Sequence, residues 1–134
     1  IVLIPGQSLD LPSMNILCVS AHAPTSGIVM YTTTGYSPAF GNRSLVLSAA
    51  KLGRLTFRST YSRVSFYYAG VQKSGQYVSF YNASGAHLGN VPLEITGEPG
   101  RVAYLSFSKA GIARLDVHCV NAEGFTFDNF TFGL

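Results

Sequence analysis

Apolar and polar positions alternate with a period of two in short stretches along the whole chain, separated by clusters of Gly, Pro, Asn and Ser. Successive side chains of a β-strand point to opposite faces, so this pattern, rich in β-branched and aromatic residues, predicts short strands. About eleven are expected. They run from Ile1 to Ile4, Met14 to Ala21, Ile28 to Thr33, Ser44 to Leu47, Arg54 to Ser59, Arg63 to Ala69, Gln76 to Asn82, Val91 to Thr96, Arg101 to Phe107, Ile112 to Val120 and Phe125 to Phe132. The one helical feature expected is a turn at Ala49 to Leu52. Pro5-Gly6, Ser26-Gly27, Ser74-Gly75, Ser84-Gly85 and Pro99-Gly100 carry turn chemistry between strands. Many short strands without a repeat or linker predict an all-β sandwich or barrel, with residues 1–134 as one domain.

The alternation fixes faces. Val64, Phe66 and Tyr68 share one side, as do Val78 and Phe80, and a one-residue slip would turn either set outward. The simplest arrangement is a hairpin with Phe66 opposite Phe80, which gathers Tyr67, Tyr77 and Tyr81 on one outward surface. Further on, Ala113, Leu115, Val117 and Cys119 face one way and Arg114, Asp116 and His118 the other, the pattern of a strand with one wet side. Across Asp128-Asn129 the aromatic parity changes, setting Phe125 and Phe127 against Phe130 and Phe132, so a β-bulge is expected there.

Composition narrows the functional classes. Hydrophobic residues make up 47% and charged residues 11%, which excludes a disordered chain, and no apolar run is long enough to cross a bilayer as a helix. The net charge of +3 reflects scarce acids; the basic residues are spaced singly, with Arg54, Arg58 and Arg63 as the nearest thing to a cluster. That spacing reads as a solvated strand face, and nucleic acid is not expected as a partner. The opening Ile1 to Ile4 is too short for a signal-peptide core, so any targeting segment is expected to have been removed. Sequons at Asn42, Asn82 and Asn129 allow glycosylation if the source is eukaryotic.

Cys18 and Cys119 lack the close Cys or His partners of a zinc site. They are either a bridge between first and last long strands or two buried thiols. His22, His87 and His118 read as ordinary surface histidines, and no G-x-S-x-G elbow accompanies them. The acids Asp10, Glu94, Glu98, Asp116, Glu123 and Asp128 show no pairing in sequence, as two-carboxylate glycoside hydrolysis would need. Asp128, inside an aromatic strand, must be paired, bound to a cation such as calcium, or turned to water. Acceptance of backbone N–H groups freed by the bulge is the simpler solution, and Asp10 could join if the terminal strands are neighbours.

The stretch from Val64 to Phe132 resembles bacterial secreted β-sandwich domains of exosortase-sorted (PEP-CTERM) surface proteins and, more distantly, jelly-roll carbohydrate-binding modules. The residues that carry the resemblance are Val78-Ser79-Phe80-Tyr81-Asn82-Ala83-Ser84-Gly85, Tyr104-Leu105-Ser106-Phe107, Gly111-Ile112-Ala113-Arg114-Leu115 and Phe127-Asp128-Asn129-Phe130. The resemblance implies an all-β, jelly-roll-like antiparallel β-sandwich, a secreted or cell-surface location and, from the carbohydrate-binding relatives, a structural calcium at Asp128. It departs in having no Trp. The expected function is a non-catalytic binding module that recognises a glycan or surface protein through Tyr67, Tyr77 and Tyr81. The rival expectation is a structural or adhesive subunit assembling through strand edges or sandwich faces.

Overall fold

The computed structural model describes residues 2–22, 27–32, 43–48, 50–97, 101–120 and 124–133. Within them are ten strands: β1 (Val2–Leu3), β2 (Ser8–Asp10), β3 (Met14–Ala21), β4 (Gly27–Thr32), β5 (Arg43–Ser48), β6 (Ala50–Ala69), β7 (Tyr77–Asn82), β8 (His87–Pro92), β9 (Val102–His118) and β10 (Gly124–Gly133). Every pairing is antiparallel.

Two of these strands organise the rest. β6 has 20 residues and β9 has 17, where the alternation predicted two strands in each. At about 3.3 Å per residue, β6 would be about 66 Å long if straight. It bends instead, with register shifts against β9 around Tyr61, and Gly111 of β9 takes a left-handed φ of 79° beside the bend. On one side of the bend lies a first layer ordered β2-β3-β6-β9-β7-β8, using residues 50–57 of β6 and 112–118 of β9. On the other lies a second layer ordered β1-β4-β5-β10-β6-β9, using residues 63–69 and 102–108. One continuous sheet is thereby folded on itself into a jelly-roll sandwich.

The inward faces meet in the core. Ile16, Leu55, Val78, Phe80, Leu115 and Val117 of the first layer are buried with Val64, Phe66, Tyr68, Leu105 and Phe127 of the second. Phe80 and Phe107 stack between layers with centroids 4.2 Å apart. Phe57, Tyr61 and Phe132 pack against each other near the bend. Buried Tyr68 accepts the Glu94 backbone N–H at 2.9 Å, and burial pushes its phenol pKa up.

Several expectations are corrected. The hairpin is absent: Phe66 lies opposite Leu105, and Phe80 lies between Leu115 and Gly89. After β6 the chain turns at Gly70, with φ of 83°, and crosses to the other layer before β7. Parity still holds, since Val64, Phe66, Val78 and Phe80 are all fully buried. Residues 50–52 are strand, not helical turn, and the eighth strand lies at His87–Pro92 instead of Val91 to Thr96. Thr96 instead pins the segment after β8, its Oγ1 accepting the Val71 N–H at 2.9 Å. β2 was missed because its outer residues Ser8 and Asp10 are exposed. The expected bulge is present, as the β10–β6 register shifts between Asp128 and Thr131. Ile1, Thr33, Ala49, Glu98, Glu123 and Asn42 lie outside the described residues.

Candidate functional site

The outer face of the first layer is a regular grid, because four antiparallel strands bring alternate residues into register. One row is Leu52, His118, Tyr77 and Pro92; the next is Arg54, Asp116, Ser79 and Asn90; the third is Thr56, Arg114, Tyr81 and His87. Residues between these rows, such as Leu55, Leu115 and Phe80, point into the core. The polar set on β9 is therefore a direct consequence of period-two alternation over an apolar inner face.

The middle row is the most enclosed. The Asp116 side chain is 3% exposed and accepts both bonds of an Arg54 fork, from Nε at 3.0 Å and Nη2 at 3.1 Å. Arg114 Nε approaches Asp116 Oδ1 at 3.3 Å but makes no hydrogen bond, so this is an ion contact only. Ser79 Oγ donates to Asn90 Oδ1 at 2.6 Å, and His87 Nε2 lies 2.7 Å from the same oxygen.

Aromatic rings flank this polar centre. Tyr77 and His118 stack with centroids 4.3 Å apart, and burial lowers the His118 pKa; Asp116 opposes that shift and Arg54 adds to it. On the other side the Arg114 guanidinium sits 4.1 Å from the centre of the Tyr81 ring, which His87 meets edge-on at 5.5 Å. Beside Tyr81 and Arg114 is an open pocket of ≈ 360 Å³ lined by Arg54, Thr56, Arg114 and the turn after β7. Asn82 Oδ1 holds that turn, accepting the backbone N–H groups of Ser84 and Ala86.

The structure brings together two of the three selected tyrosines. Tyr77 and Tyr81 share this face on β7, whereas Tyr67 lies in the second layer, opposite Tyr104 with ring centroids 4.9 Å apart. The continuous three-tyrosine surface is therefore corrected, because β7 pairs with β8 and β9 and not with β6. His118 is likewise no ordinary surface histidine, and Asp116 is buried where the alternation suggested a wet side. Arg54 was missed as a site residue. Its partner lies 62 residues away, so only the Arg114-x-Asp116-x-His118 pattern marked the face in sequence.

The remaining candidates lie elsewhere. Cys18 and Cys119 are buried thiols, not a disulfide. Their neighbourhoods flank β6, since Cys18 pairs with Gly53 and the Cys119 N–H donates to Lys51 O, so a strand separates them. Asp10 is on β2, bonded to Asn15 and Arg58, and does not join Asp128 on β10. The bonds from Asn15 and Arg58 lower the Asp10 pKa. Asp128 is half-buried and engaged within the chain, and its backbone pairs with Tyr67. Among the described residues no group of three or more His, Cys, Asp and Glu converges as a metal site.

No family model matches this chain, and no curated protein matches it. Solved structures do. A family 6 carbohydrate-binding module aligns with a TM-score of 0.51 at 15% identity, over 85% of this chain and 86% of that one. The module TmCBM61, in complex with β-1,4-galactotriose, aligns with a TM-score of 0.54 at 12% identity, over 90% and 88%. The enzymatically active domain of tailspike protein 4 from bacteriophage CBA120 gives 0.56 at 13% identity, over 93% of this chain; the alignment spans 20% of that domain. These likenesses establish the fold: an all-β sandwich of the kind found in carbohydrate-binding modules.

Proposed function

We propose that this chain is a non-catalytic glycan-binding module, secreted or displayed on a cell surface, whose ligand lies across the outer face of β6, β9, β7 and β8. The observation that carries the reading is the adjacency of the Arg54–Asp116 fork to the Arg114–Tyr81 stack. Fixed guanidinium donors meet sugar hydroxyls, and the phenol rings offer apolar area to sugar C–H faces. Tyr77, Tyr81 and Arg114 contact the sugar in this reading, and Arg54 and Asp116 hold the floor. The likeness to two carbohydrate-binding modules, one of them in complex with β-1,4-galactotriose, supports the ligand class.

Absence of covalent chemistry belongs to the same proposal. Asp116 is the one carboxylate in the three rows, and its oxygens already meet Arg54 and Arg114, whereas glycoside hydrolysis generally uses two carboxyl groups across the scissile bond. Tyr67 and Tyr104 stand on the opposite layer and serve as the internal comparison. A glycan array tests the reading: wild-type binding lost in Tyr81→Ala and kept in Tyr67→Ala is expected. No wild-type binding, with concentration-dependent self-assembly in light scattering, would replace it with the structural or adhesive role.

A further inference from the structure

The geometry points to an acidic sugar as the ligand of this face, with its carboxylate or sulfate group seated in the pocket beside Tyr81; this rests on the glycan-binding reading above. Two guanidinium groups share a single carboxylate here. Arg54 takes both Asp116 oxygens in a fork, so the floor of the face carries one cation in excess, the Arg114 guanidinium. A guanidinium has five N–H donors in a rigid plane and cannot give up its charge. Arg114 Nε is buried and makes no hydrogen bond, and its side chain is only 25% exposed. A guanidinium that lines a pocket and has only a share of one carboxylate is better satisfied when a ligand anion meets it.

The pocket supplies the place for that anion. Its ≈ 360 Å³ falls within the size range of about 300–1,000 Å³ typical of small-ligand sites. Arg54, Arg114, Thr56, Asn82 and Ser84 provide its polar lining, and no carboxylate lines it. Tyr81 holds the Arg114 guanidinium from one side, so little side-chain freedom is lost when a ligand oxyanion arrives. The net charge of +3 favours the approach of such a ligand.

The test is calorimetric titration of the whole chain with trigalacturonic acid, a sulfated galactan oligosaccharide and neutral β-1,4-galactotriose. An acidic ligand is expected to bind at least about tenfold more tightly than the neutral one, the effect of one charge-assisted contact, and to weaken as salt rises. The preferred acidic arm identifies carboxylate or sulfate. Arg114→Gln should reduce acidic binding to the neutral level, with Arg114→Lys intermediate. Thr56→Val, which leaves the Arg54–Asp116 pair alone, should weaken the same arm if Arg114→Gln fails to fold. Equal or tighter binding of the neutral sugar overturns the acidic inference and leaves glycan binding standing; binding of none of the three overturns the acidic inference, and an empty glycan array beside it overturns the glycan reading as well.

Discussion

Tyr77 and His118 lie ring on ring across the β7–β9 pairing, their planes 9° apart. Burial holds the His118 pKa below its ordinary 6.5, so as pH falls the unfolded chain takes up this proton first. Stability from this group is complete above about pH 6.5 and is lost as pH falls through the lower folded value. Melting temperature should therefore drop between pH 7 and pH 5 more in wild type than in His118→Phe, which keeps the ring contact without the titration. Parallel curves for the two proteins would contradict this. Asp10, whose pKa is lowered from an already acidic value, acts well below this window.

Removing Arg54 leaves Asp116 buried with only the bond-free approach of Arg114. Arg54→Leu should cost about 3 kcal/mol in urea unfolding, near the low end for broken buried pairs because Arg54 is partly exposed. The double variant Arg54→Leu/Asp116→Leu should recover most of that loss. A single variant within error of wild type would show that the fork contributes nothing.

Contact between layers passes through Phe80 and Phe107. Phe80 is fully buried, and Phe80→Ala should cost about 3–5 kcal/mol by cavity formation. Gly89 sits under the same stack, where an added Cβ would come within 3.0 Å of the Phe107 ring. Gly89→Ala should therefore destabilise by about 1–3 kcal/mol through overpacking, read as a lower denaturation midpoint. A neutral Gly89→Ala would mean that the ring moves aside freely.

These packing relationships show which information is local. Alternation alone placed Val64, Phe66, Tyr68, Val78 and Phe80 inward and set Arg114, Asp116 and His118 on a common face, because side-chain direction depends only on strand parity. Partner choice is non-local. The Thr60 to Ser62 stretch of β6 reads as a break, yet the strand bends through it while pairing continues with β9 on either side. That continuity sends Tyr67 to one layer and Tyr77 to the other, and nothing in the period-two pattern specifies it. The bulge at Asp128 was legible for the opposite reason: a parity change within one strand is itself a local signal.

Asp128 is engaged within the chain and has no cluster of metal-binding side chains around it among the described residues. An unchanged melting midpoint with chelator and with added calcium would leave Asp128 a purely structural acid. A midpoint that falls on chelation, and no longer does so in Asp128→Asn, would instead establish a structural calcium ion at the bulge.

The central claim, that sugar lies on the outer face of the first layer, is tested most directly by mapping backbone amide shifts in a nuclear magnetic resonance titration with a bound oligosaccharide. The account predicts the largest changes at Thr56, Ser79, Tyr81 and Arg114, with Tyr67 and Tyr104 unmoved. Changes centred on Tyr67 and Tyr104, with the three rows silent, would contradict it.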